Sequence, residues 1–176
     1  MKILSRWDNS VIFEDKAKSL KEAVENAVKA KINLSGADLS NSVLSGANLS
    51  NSVLFGAKVD DKTVWPNYQI CPEEGDFIGF KKTSNNKILR LLIMGARVNS
   101  PIGRKCRTQS AKILAVLGDD NQWIEDSNEV FVSKHDSKFE YQIGQIVEVN
   151  DFDTDIRTEC THGIHFFMTL KEAKDY

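Results

Sequence analysis

The 176-residue chain is 41% apolar and 27% charged, a balance that predicts a folded protein rather than a disordered one. Its net charge of −2 and pI near 5.9 supply no general attraction to nucleic acid or to an anionic membrane. Three cysteines, Cys71, Cys106 and Cys160, are too few and odd in number for a disulfide framework, so a reducing cytoplasm is the expected setting.

At the N-terminus, Lys2, Arg6 and Asp8 interrupt any apolar stretch, which argues against a signal peptide. The longest apolar run, Leu91 to Met94, is far short of the roughly 20 residues that span a bilayer. Ile3 to Trp7 and Val11 to Phe13 are β-prone runs around the turn formers Asp8, Asn9 and Ser10, and predict a hairpin over residues 2–14. A helix is predicted over 19–30. Ser19 and Glu22 have the spacing of a capping box, and Leu20, Ala23, Val24, Ala27 and Val28 share one face. Glu25 and Lys29 are placed to pair at i,i+4 on the outer face.

Residues 32–64 repeat every five. A branched apolar residue recurs at Leu34, Leu39, Leu44, Leu49, Leu54, Val59 and Val64, with a small residue two positions earlier at Ala37, Ser42, Ala47, Ser52 and Ala57. A period of five fits neither an amphipathic helix nor a half-buried strand. It is the signature of a solenoid whose units bury their apolar position only by stacking. So short a stack needs its ends covered, one by the helix 19–30 and the other by the chain after Trp65-Pro66. An uncovered end could instead pair with a second copy in a two-fold homodimer.

From Tyr68 onward the period vanishes, and β-type runs appear at Phe77–Phe80, Ile88–Met94, Lys112–Leu117, Val130–Ser133, Ile146–Val149 and Gly163–Phe167. A second capping box, Thr169 with Glu172, opens a helix that continues to Tyr176. The expected organisation is a hairpin and capping helix over 1–31, repeats over 32–66 and a β-rich α+β domain over 67–176.

Residues 32–64 resemble pentapeptide-repeat proteins of consensus A(D/N)LXX, which Ala37-Asp38-Leu39 and Ala47-Asn48-Leu49 match in full. The resemblance implies a mainly β fold, a short right-handed quadrilateral β-helix with four repeats per coil. The remainder is similar to an uncharacterised C-terminal domain that accompanies short pentapeptide runs in phage and prophage proteins. The likeness lies in Arg104-Lys105-Cys106-Arg107, in Ser133, Asp136, Phe139, Tyr141 and Gly144, in the run from Glu159 to Phe167, and in Glu172-Ala173 and Tyr176. It implies a phage-encoded protein in the host cytoplasm and brings no activity.

Several constellations bear on chemistry. The string Gly163-Ile164-His165-Phe166, with the helix ending at Tyr176, resembles a segment of poly-ADP-ribose-polymerase-type transferases. That likeness implies an NAD pocket with His165, where that family has tyrosine, and Tyr176 stacking on nicotinamide. The corresponding candidate ligand pocket is Tyr141, Cys160, His165 and Tyr176; the plainer reading of Gly163–Phe167 is a buried strand. Cys106, Cys160, His162 and His165 are ligand types that zinc favours, although strand alternation would place His165 opposite Cys160 and His162. Cys160 with a histidine could also form a nucleophile pair, but no orienting group is recognisable.

Asp151, Asp153 and Asp155 alternate as at the start of a calcium loop. Ile156 replaces the glycine needed at position 6 and His162 the acid at position 12, so an exposed acidic turn is expected. Arg97, Arg104, Lys105, Arg107 and Lys112 form a basic stretch, read as a loop, in which Arg104, Lys105 and Arg107 are candidate phosphate contacts. It carries no aromatic residues for base stacking, and the twelve acids against three Lys/Arg between Asp119 and Glu159 offer internal partners, so nucleic acid is not expected. With only Asp38, Asp60 and Asp61 in the repeats, mimicry of duplex DNA is not expected either. The functional expectation is a non-enzymatic protein that binds a host or viral protein, without cofactor. An NAD-binding or ADP-ribosyltransferase-like module and a zinc-binding domain are the alternatives.

Overall fold

In the computed structural model, which describes residues 1–66 and 70–176, strands β1 (Lys2–Leu4) and β2 (Val11–Glu14) pair antiparallel. Asp8 accepts from the Ser10 N–H at 3.1 Å and hydroxyl at 2.8 Å, and Asn9 turns the corner at φ 58°. The first strand stops earlier than its β-prone run, and Trp7 instead lies across Gly36, where a Cβ would meet its ring at 1.9 Å.

Helix α1 (Leu20–Lys29) starts at Ser19, whose hydroxyl accepts from the Glu22 N–H at 3.1 Å. The Glu22 carboxylate accepts from the Lys18 N–H at 2.8 Å, not from Ser19, so the expected capping box is shifted by one residue. Ser19→Ala is expected to cost about 1 kcal/mol in urea unfolding. The apolar face of α1, Ala23, Val24 and Ala27, packs with Ile3 and the repeat leucines. Its polar face ties to the repeats: Lys21 donates to the Ser45 carbonyl at 2.8 Å, and Glu25 accepts from the Asn48 N–H at 3.0 Å.

In the repeats, Leu34, Leu39, Leu44, Leu49 and Leu54 are buried together with Ala37, Ala47 and Ala57. Parallel bridges join Asn33 to Val53 and Asp38 to Lys58, so the chain returns on itself every 20 residues. Every fifth residue from Gly36 to Gly56 (Gly36, Asn41, Gly46, Asn51, Gly56) has φ between 57° and 67°. That region suits Gly and Asn, whose alternation makes the corners. Asn33, Asp38 and Asn48 each accept an N–H from the residue two positions on, which fixes the turn between repeats.

The period slips at its end. Val43 pairs with Val64 rather than with residue 63, and both valines are turned out, 62% and 46% exposed. Val64 is therefore not a core position, contrary to its place in the five-residue count. Thr63, between Asp60 and the Leu39 carbonyl, fills the extra step.

The chain divides into two compact units, and the first also includes residues 100–103 and 155–159. Ile102 packs with the leucine cluster and accepts from the Asn51 N–H at 2.8 Å. Arg157 pairs with Asp155 at 2.7 Å and donates to the Ala57 carbonyl.

The second unit is built on one antiparallel sheet. Strands β3 (Phe77–Lys82), β4 (Ile88–Asn99) and β5 (Cys106–Leu117) follow each other as a meander. The far edge of β5 carries three short strands in succession: β10 (Ile164–Phe166), β9 (Ile146–Glu148) and β6 (Trp123–Ile124). Strands β7 (Val130–Val132) and β8 (Glu140–Gln142) form a separate hairpin. Just beyond β10, Phe167 exchanges both main-chain hydrogen bonds with Phe80 of β3, at 2.8 and 2.9 Å. This one bridge closes the order β10–β5–β4–β3 on itself, while β6 and β9, among the described strands, pair with β5 alone. The interior of the sheet holds Leu89, Leu91, Ile93, Ile113, Ile164 and Phe166, and Gly79 makes room for the Phe166 ring. Helix α2 (Leu170–Asp175) follows, with the reciprocal Thr169–Glu172 capping box complete.

Only part of the basic stretch is a loop: Arg104 and Lys105 lie in the connection between β4 and β5. Arg97 lies in β4, and Arg107 and Lys112 lie in β5, which begins six residues earlier than its apolar run.

Candidate functional site

Strand alternation puts Gly79 and Lys81 of β3 on the inner face of the closed sheet. Gly79 leaves space for a ring; Lys81 brings an ammonium inside, and the whole residue is 7% exposed. Lys81 Nζ donates to the His165 carbonyl at 3.1 Å and sits 5.3 Å from the centre of the Tyr141 ring. Burial, with a smaller contribution from the Lys105 charge, lowers its pKa from 10.5 to about 8. Tyr141, on β8, is itself buried, which pushes its phenol well above the usual range.

Beside Lys81 stands a second group centred on Tyr176. Its hydroxyl accepts from Lys105 Nζ at 2.8 Å and lies 2.7 Å from His135 Nε2. Its ring packs tilted against Phe167, centres 5.2 Å apart, and has Lys134 Nζ 4.6 Å from its centre. Burial opposes the charge on Lys105, but its bonds to Tyr176 and to Cys160 Sγ (3.0 Å) outweigh this and raise its pKa. Burial, followed by the positive charges of Lys105, Lys81 and Lys134, lowers that of His135.

These groups border a cavity of about 810 Å³. Lys81, His135, Tyr141, Cys160 and His165 line it, and Lys81, His135 and His165 also line a narrow cleft that reaches Lys105, Lys134 and Tyr176. The acids on the cavity wall are engaged. Asp151 pairs with His162 at 2.5 Å, Asp136 accepts from the Lys138 N–H at 2.9 Å, and Glu148 accepts from Gln109 at 3.4 Å.

Of the four residues expected to form a ligand pocket, Tyr141, Cys160 and His165 line the cavity, and Tyr176 lines the adjoining cleft with His165. The expected phosphate contacts separate. Arg104 pairs with Glu172 at 2.6 Å, Arg107 is buried and donates to the Asp153 carbonyl at 2.7 Å, and Lys105 alone joins the cleft. The zinc candidates separate too. The thiols of Cys106 and Cys71 hydrogen-bond to each other, which together with burial raises the pKa of Cys106, while His162 turns to Asp151 and Cys160 to Lys105. Among the described residues no group of three or more His, Cys, Asp or Glu is placed to hold a metal ion. Asp151, Asp153 and Asp155 do not converge as a calcium loop: Asp153 accepts from Thr161 at 2.8 Å and Asp155 from Arg157. Lys81, Lys134 and His135 were not singled out from the sequence. For Lys81 the signal was its two-residue spacing from Gly79, one position past the run Phe77–Phe80.

Residues 67–173 match the family of unknown function DUF5758, and residues 32–61 match the pentapeptide-repeat family. The chain belongs to the DUF5758 family and carries pentapeptide repeats ahead of that domain. It is 39% identical over 75 residues to an uncharacterised protein of Acanthamoeba polyphaga mimivirus, a stretch that covers 41% of this chain and 46% of the viral protein. No solved structure matches the chain. Among the described residues, no helix is long and apolar enough to cross a membrane.

Proposed function

We propose that the protein is a non-enzymatic binding protein, in which a short pentapeptide β-helix accompanies a domain that receives a small polar ligand. Residues 32–66 form the coils of a right-handed quadrilateral β-helix, with residues 1–31 as its lid and 67–176 as the ligand-binding domain. The 20-residue pairing distance and the Gly/Asn corner at every fifth position support the coils, since four five-residue sides make one turn. The packing of α1 against the repeat leucines supports the lid.

The observation that carries the ligand reading is the cavity of about 810 Å³ lined by a buried lysine, a buried tyrosine and three histidines. Cavities of this size with a few convergent polar groups are the usual small-molecule sites. A second reading, docking of a host or viral protein in a cytoplasm, is favoured by the exposed Trp7, Val43, Phe55 and Val64 of the first unit. The viral relative is consistent with a virus-encoded protein, phage included.

Two-dimensional ¹H–¹⁵N NMR tests the ligand reading, with NAD, ADP-ribose, ribose 5-phosphate, glucose and glutamate added in turn. Saturable shifts confined to residues around Lys81, His135 and His165 are expected from at least one of them. If none produces such shifts at millimolar concentration, the ligand reading falls, and protein docking becomes the function to pursue.

A further inference from the structure

The ligand reading leaves the chemistry of the ligand open, and Lys81 narrows it. Among the described residues, its ammonium meets one carbonyl oxygen and one ring face, and no carboxylate. Two of its three donors therefore remain for something in the cavity. A buried cation without a counter-ion is costly, and a bound anion would offset that cost. The cavity wall carries Asp136, Glu148 and Asp151, each already engaged, whereas the cleft side of Lys81 adds positive charge. Among the described residues, the cleft that joins the cavity at Lys81 is lined by Lys81, Lys82, Lys105 and Lys134 with His135 and His165, and by no acid.

Resting on the ligand reading, we infer that the Lys81 end of the cavity is an anion site for the phosphate group of a small phosphorylated molecule. Lys81 Nζ and His135 meet the phosphate oxygens, and Lys105 and Lys134 supply longer-range attraction. The donor set favours phosphate over carboxylate. It contains no arginine fork to clasp a planar carboxylate, whereas several point charges approaching from different sides suit a tetrahedral group. The polar wall beyond, with Asn150 and Thr161, has room for the body of the molecule.

Titration calorimetry with pyrophosphate and with citrate, at matched ionic strength in sodium chloride, tests this on the full chain. Pyrophosphate is expected to bind and citrate to bind more weakly. Lys81→Met is expected to weaken pyrophosphate by about tenfold or more, the loss of one charge-assisted hydrogen bond. Lys134→Gln, at an exposed position, should weaken it a few-fold, and Lys16→Gln, in the first unit, should leave it unchanged. Equal pyrophosphate affinity in the wild type and Lys81→Met overturns the inference, as does a preference for citrate. If glucose or glutamate moves the cavity resonances while pyrophosphate does not bind, the phosphate assignment fails and the ligand reading stands.

Discussion

Lys81→Met is expected to make the protein more stable at pH 7, by about 1–3 kcal/mol in urea unfolding, because it removes a buried charge that lacks a counter-ion among the described residues. The sign follows from linkage. The lysine pKa falls from 10.5 to about 8 on folding, so between those values the unfolded chain binds more protons than the folded one. The penalty is complete below pH 8, roughly 3 kcal/mol, and is relieved as the pH rises through 8 toward 10.5. The stability advantage of Lys81→Met over the wild type should therefore shrink across that window, a difference in which the other titrating groups cancel. A variant less stable than the wild type at pH 7, with an unchanged pH profile, would show that Lys81 is compensated inside the fold. A residue that lowers stability where an apolar one would raise it is characteristic of a site held for binding.

The second large effect lies in the repeats. Leu44→Ala should cost about 3–5 kcal/mol, since Leu44 is fully buried and its backbone is held to the returning chain by the N–H bond to the Val64 carbonyl. Val64→Ala, one residue out of phase and facing out, should cost less than about 1 kcal/mol. The pair is a direct measurement of the register slip. Were both substitutions to cost the same, the five-residue phase would continue unbroken to Val64 and the outward placement of that side chain would be wrong.

Much of the local structure was legible in the sequence because it depends on residues no more than five apart. The leucine period, the Ser19 and Thr169 caps and the hairpin turns all belong to this kind. The corners were equally visible, since Gly36, Asn41, Gly46, Asn51 and Gly56 occupy one phase of the repeat, but the aliphatic pattern overshadowed them. What was hidden depends on distant parts of the chain. The N-terminal half of β5 reads as polar because Arg107 finds its partner in the Asp153 carbonyl, far along the sequence. Ile102 and Arg157 join the repeats from within a region that reads as a separate domain. For the site, Tyr141, Cys160, His165 and Tyr176 were found as residues, but their arrangement was not. Lys81 and His135 became meaningful only once β3 and the segment after β7 faced the same cavity.

The seam between Phe80 and Phe167 also bears on how the protein is made. During translation the early strands of the second unit emerge long before the partner that seals them, and the repeat leucines emerge well ahead of Arg157. Until then both cores have unfinished borders. Folding should accordingly be slow and late, with its decisive step after synthesis has passed residue 167. Nascent chains arrested shortly before that point should remain open to proteolysis and to holding chaperones.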